Sequence, residues 1–326
     1  MVHNKPSVGL ALSGGGARGL AHIGVLRVLE REGIPVNFLA GTSMGGIIAA
    51  GYASGMSSHG LEQEALHVTS KRGMLRMADP GMPNGGFIRG QRVLAYFKRV
   101  FGEKTFADLP LPLALVAADL KLHQEVVFEE GSLALALRAT ISIPGIFMPI
   151  EINDRQIVDG GLLNNMPIDI AKRMGADVVI AVDIGLTSSE GVGQWIGNRR
   201  WIPGGIANTL EVLDDSLYAL RIVQQENKLR QCPPDVLICP DLPKNVNSIV
   251  GYRKVEELVA AGERAAEEHL TEIKALLHPR GHWFLSRRAV KVDKSMVQPS
   301  LPEQMLSNTK LKNLFLSKGI NDSHGT

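Results

Sequence analysis

The stretch that most constrains this fold is residues 34–55, and above all Gly41-Thr42-Ser43-Met44-Gly45 within it. An apolar run over 36–40 leads into this Gly-x-Ser-x-Gly pentapeptide and on into Gly46-Ile-Ile-Ala-Ala-Gly-Tyr-Ala53, the pattern of a strand, a tight turn and a buried helix. That context is a nucleophile elbow. Glycines on both sides of Ser43 permit a cramped backbone that lifts one hydroxyl above a sheet, at the amino end of a helix whose dipole favours developing negative charge. The five residues alone occur in unrelated chains, so it is the flanking strand and helix that give them meaning. The stretch lacks charges and is long enough to span a bilayer, but Asn37, Thr42, Ser43 and its five glycines mark it as buried core.

The remainder of the chain supplies an α/β framework for this turn. Residues 8–12 read as a buried strand, 13–19 as a glycine loop and 20–31 as a helix stopped by Gly33, so the chain opens as two parallel strands with crossover helices. Further strands are expected at 113–118, 124–129, 178–182 and 236–239, with a hairpin over 151–159 that turns at Asn153-Asp154. Helices are expected at 91–101, 133–140, 167–174, 206–229 and 248–277, with a proline-bounded loop at 143–149. Between 57 and 110 the pattern loosens, and Met74, Met77 and Met82 sit among glycines and prolines. Two readings stand there: a mobile cover whose thioethers suit a variable acyl chain, or methionines filling an irregular core under a long loop.

With 326 residues the chain can form one large domain, expected over 1–279, with an appendage. A net charge of +2 excludes a polyanion partner such as nucleic acid. The charge is unevenly spread: residues 280–326 hold 8 Lys/Arg against 3 Asp/Glu, leaving 27 against 30 in the body. A basic, poorly ordered tail is the expectation, with Arg287, Arg288, Lys291 and Lys294 as one candidate membrane contact. Trp195 and Trp201, bracketing Arg199 and Arg200, form the better interfacial candidate of the two, although simple packing is the first reading of them. The first residues supply too short an apolar run for a signal peptide, and Cys232 and Cys239 have neither redox-pair nor zinc-knuckle spacing. Reduced thiols in a cytoplasmic protein, with peripheral contact at the inner membrane face, are therefore expected.

Ester hydrolysis needs a nucleophile, a base for its proton, and donors aimed at an oxyanion. Ser43 offers the first. Gly14-Gly15-Gly16-Ala17-Arg18-Gly19, between a strand and a helix, offers backbone N–H groups that can converge on one point. The same glycines have the G-x-G-x-x-G spacing of a dinucleotide loop, but the second strand ends in the elbow rather than in the acidic residue a ribose requires. For the base, His269, His278 and His282 are the positions an α/β-hydrolase order would select, and none follows a strand. Asp159 does stand at a strand end, before Gly160-Gly161, where burial can raise a carboxyl from its ordinary value of about 3.9 towards a working pH.

Taken together, Ser13-Gly-Gly-Gly-Ala-Arg-Gly19, Gly41-Thr-Ser-Met-Gly45, Ala139-Thr-Ile-Ser-Ile-Pro-Gly-Ile-Phe-Met-Pro149 and Asp159-Gly-Gly161 resemble, in order, the four motif blocks of the patatin-like phospholipase family. The resemblance spans about residues 8–184 and implies a three-layer α/β/α sandwich around a mainly parallel sheet. It implies a Ser43/Asp159 dyad, an oxyanion hole from Gly14, Gly15, Gly16, Ala17 and Arg18, and a supporting loop shaped by Ser142 and Pro144. Gly19, Gly41, Gly45, Gly160 and Gly161 complete the motifs. The implied activity is hydrolysis of a lipid or lysophospholipid acyl ester through an acyl-enzyme, with no metal and no cofactor. Two alternatives stay open: a histidine-dependent esterase, and a catalytically idle lipid-binding protein that keeps the pocket. Lipid preference and oligomeric state are not specified.

Overall fold

The structure, a computed structural model, describes residues 6–81, 86–185, 204–243, 246 and 251–278. Met82, the Trp195 to Trp201 stretch, His282 and the basic tail lie outside the described residues. The elements begin β1 (Val8–Leu12), α1 (Ala21–Arg31), β2 (Phe38–Thr42), α2 (Met44–Ala53), α3 (Ser58–Thr69), α4 (Lys71–Met77), β3 (Gly86–Ile88) and α5 (Gln91–Phe101). They continue with β4 (Leu113–Asp119), β5 (Gln124–Phe128), α6 (Leu133–Thr140), β6 (Gly145–Phe147), β7 (Ile150–Ile152), β8 (Arg155–Asp159) and α7 (Ile168–Arg173). The described chain closes with β9 (Val178–Val182), α8 (Gly204–Gln231), β10 (Val236–Ile238), α9 (Val255–Glu268) and α10 (Leu270–Leu277).

The main sheet runs β10-β9-β1-β2-β4-β8-β7, with β5 also paired to β4. Its β10 to β4 half is parallel, and the pairs of β8 with β4 and of β7 with β8 are antiparallel. Two neighbouring cross-strand rows differ in side-chain size and face opposite sides of the sheet. Ala181, Ala11, Ala40 and Ala114 stand in one cross-strand row, which leaves room for α7 to lie close with Ile168, Ile170 and Ala171. On the other face Ile180, Leu10, Leu39 and Leu113 form a row of bulky residues that packs under α1, α2, α6 and α9. At roughly 1.5–3 kcal/mol per fully buried aliphatic side chain, that second face is the larger source of stability. Helices on both faces make the three-layer α/β/α arrangement.

Three differences from the sequence reading have physical causes. The loosely patterned region contains two helices, α3 and α4, whose amino ends are capped by Ser57 and Ser70. Their apolar stripes are thin because they lie on the outside, and caps rather than periodicity mark them. The proline-bounded loop contains β6, which pairs with β3 in a separate two-stranded sheet. The single closing helix breaks at His269 into α9 and α10, and its ring bonds the Ala265 carbonyl at 2.9 Å.

Candidate active site

The parallel strands deliver their carboxyl ends to one edge of the sheet, where open α/β sheets hold ligands. At the end of β2 the elbow forms as its composition requires. Ser43 has φ 54° and ψ −124°, outside the regions an L side chain favours, a conformation that costs about 1–3 kcal/mol and persists only under surrounding constraint. The constraint is visible. The Ser43 N–H donates to Thr140 Oγ1 at 2.9 Å, the Thr140 hydroxyl donates to the Val116 carbonyl, and Thr42 Oγ1 donates to the Asn164 carbonyl at 2.9 Å. Glycine is needed at 45, where a Cβ would strike the Leu12 carbonyl, and at 41, where one would lie 2.7 Å from the Gly45 carbonyl.

Asp159 ends β8, opposite Ala117, and its N–H donates to the Ser142 carbonyl at 3.0 Å. Gly160 follows because a Cβ there would collide with the Val116 carbonyl. The Gly161 N–H then turns back to Asp159 Oδ1 at 2.7 Å. Both Ser43 and Asp159 are buried, at 6% and 3% exposure, and the Ser43 side chain is among the groups that act on the Asp159 carboxyl. Burial lifts the Asp159 pKa above the ordinary carboxylate value. The positive charge of Arg221, the Ser43 hydroxyl and the Gly161 N–H act against that rise.

The glycine loop lies against the same serine. A Cβ on Gly14 would sit 3.1 Å from the Ser43 Cβ and 2.6 Å from Asn165 Oδ1. The Gly14 N–H is taken, donating to the Asn165 carbonyl at 3.1 Å. The following 3-10 turn (Gly16–Leu20) has Gly15 as its cap, so the N–H groups of Gly15, Gly16 and Ala17 precede its first internal bond. They donate to no group outside the turn among the described residues. The Arg18 guanidinium is buried and its charge acts on Asp183, just beyond β9. Beneath the loop, the neutral ring of His22 donates from Nε2 to the Ser13 carbonyl at 2.9 Å, with burial pushing its pKa down to about 4.

Of the expected site residues, Gly14 packs on Ser43, and the Ser43 side chain acts on Asp159, while Gly15 packs on Ile184; Gly41, Gly45 and Gly160 are held free of a side chain by close backbone approach. Gly19 packs on Met44, directly after the serine. Ser142 acts through its backbone, and its hydroxyl receives Arg138 Nη1 at 2.6 Å; Pro144 lies in the half-buried loop beyond it. No described histidine is among the groups acting on Asp159.

Four residues went unnoticed in the sequence. Asn165 clasps Gly14 from both sides, with its carbonyl accepting the Gly14 N–H and its Nδ2 donating to the Gly14 carbonyl at 3.2 Å. Arg221 and Gln225, one turn apart on α8, face Asp159 and Asp183 respectively. Arg138 interrupts an apolar helix, which was a usable signal; its guanidinium also bonds the carbonyls of Arg89, Gly90 and Met148 at 2.9, 3.1 and 2.9 Å. Arg221 left no such sign.

Residues 10–172 match the family described as patatin-like phospholipase. An uncharacterized NTE family protein of Mycobacterium tuberculosis is 37% identical over 183 residues, which cover 56% of this chain and 50% of that protein. A second from the same organism is 32% identical over 274 residues, covering 81% of this chain and 46% of the relative. Patatin-like phospholipase domain-containing protein 6 of Mus musculus is 37% identical over 185 residues, 55% of this chain and 14% of that one. The chain spans about half the length of the mycobacterial relatives. The matched stretch holds the glycine loop, the elbow and the Asp-Gly-Gly corner, and by it the chain belongs to the patatin-like phospholipase family.

Proposed function

We propose that the chain is a lipid acyl hydrolase of phospholipase A, lysophospholipase or esterase type, working through a Ser43/Asp159 dyad. The observation that carries this reading is a strained, buried serine whose side chain acts on a buried carboxyl, beside a glycine turn whose first N–H groups donate to no group outside it among the described residues. Asp159 takes the hydroxyl proton as Ser43 Oγ attacks the ester carbonyl, and the resulting oxyanion accepts from N–H groups of the glycine turn. Collapse expels the alcohol, which takes the proton back from Asp159, and leaves an acyl-serine. Asp159 then removes a proton from water as it attacks, and returns that proton to Ser43 as the fatty acid leaves.

Loss of one oxyanion donor costs about 2.7–4 kcal/mol in the barrier, roughly 10²–10³ in rate, so the glycine turn is a substantial part of the proposed machinery. The test is release of product from a p-nitrophenyl ester and from a lysophospholipid by the parent chain, Ser43→Ala and Asp159→Asn. Activity confined to the parent supports the reading, and equal rates in all three overturn it.

A further inference from the structure

Residues 71–99 contain seven Lys/Arg and a single acid, Asp79. That acid is spent internally. Its carboxylate accepts the N–H groups of Gly90, Gln91 and Arg92 at 2.8, 2.6 and 3.1 Å and so caps α5. Among the described residues, Arg72, Arg76, Arg89, Arg92, Lys98 and Arg99 are all exposed, and none forms an ion pair.

Between α3, α4 and α5 lies a cleft of about 290 Å³ whose walls include Arg76, Arg92, Arg99, His67, Met77 and Tyr96. The nearby carboxylate of Glu64 is occupied by the Tyr96 hydroxyl at 2.7 Å. The same excursion displays Met74, Leu75 and Phe87 at 41%, 73% and 48% exposure. Cations without an ion pair among the described residues, a basic cleft and exposed apolar side chains in one short excursion match an anionic lipid surface: phosphates for the arginines and acyl chains for the apolar groups.

The excursion is also tied to the site. β3, which bears Phe87, pairs with β6, and Arg138 fastens residues 89 and 90 to Ser142, whose carbonyl holds the Asp159 N–H.

We infer that the α4-β3-α5 excursion is the surface by which this protein docks on anionic bilayers. The inference takes its partner from the lipid-hydrolase reading but does not need Ser43 to be the nucleophile. The experiment is therefore vesicle co-sedimentation of the full chain carrying Ser43→Ala, on phosphatidylcholine with and without phosphatidylglycerol, at low and high salt.

The parent should partition to the anionic vesicles and be released by salt. Arg76→Gln, Arg92→Gln and Arg99→Gln together should weaken that partition roughly 100-fold, about fivefold for each charge, while the same three positions changed to Lys should retain it. Leu75→Ser with Phe87→Ser keeps every charge and tests the surface independently; at least a tenfold loss is expected. Equal binding of parent and variants, or equal binding of the parent to neutral and anionic vesicles, would overturn the inference. Failure of the hydrolase reading would appear only in ester assays on the unmutated chain.

Discussion

Two aspartates at the sheet edge invite comparison. Asp159 ends β8 and Asp183 lies just beyond β9; both are buried, and burial raises both pKa values. Each accepts the N–H of the glycine two residues on, at 2.7 Å from Gly161 and 2.8 Å from Gly185. They differ in what meets them besides that turn. Asp183 receives the Gln225 amide and the charge of buried Arg18, so its hydrogen-bonding capacity goes into holding α8 against the glycine loop. Asp159 meets a strained serine hydroxyl and a half-buried arginine. The same D-x-G corner is a fastening in one place and a candidate base in the other, and the neighbour rather than the motif decides which.

The comparison breaks most visibly in activity. Ser43→Ala or Asp159→Asn should lower ester hydrolysis about 10⁴-fold, whereas Asp183→Asn should keep it within about tenfold in the same assay. Comparable losses at both aspartates would dissolve the distinction. Next in size, Asn165→Ala removes the side-chain half of the clasp on Gly14; kcat should fall about 100-fold with KM little changed, because the donors move relative to Ser43.

In stability, His22 and the aspartates carry opposite signs. The folded-state pKa of His22 is pushed down to about 4 from 6.5, so its contribution is lost as pH falls through that window, up to about 3 kcal/mol. Urea unfolding at either end of the window should show a slope in the parent that is reduced in His22→Gln. Asp159 is shifted upward, so its contribution is present in acid and lost as pH rises through its folded pKa. Asp159→Asn should therefore melt higher than the parent at neutral pH while being inactive.

The smallest effect concerns Arg221, whose charge opposes the upward shift of Asp159. The acid limb of kcat/KM should lie above the ordinary carboxylate value of 3.8 and move further up in Arg221→Gln, with the rate on the plateau retained.

Much of this edge was legible in the sequence because its demands are local. Gly41, Gly45 and Gly160 answer backbone collisions a few residues or one strand away, and a turn that needs them has few alternatives. The parallel strands were legible because each is a short apolar run, as a strand covered by helices on both faces must be. Asn165 and Arg221 were not, because their roles depend on a loop about 150 residues earlier and on a carboxyl 62 residues away from Arg221. Nor was α4, whose Leu75 faces outward and breaks the apolar periodicity that identifies a packed helix. Side chains that serve a partner rather than the core leave that kind of gap.

The most direct test is the stoichiometry of fluorophosphonate labelling by intact-protein mass spectrometry on the parent chain and Asp159→Asn. One adduct on Ser43 in the parent, and none in the variant over the same interval, is the predicted result. Equal labelling of both, or an adduct on another residue, would contradict a serine activated by that carboxylate.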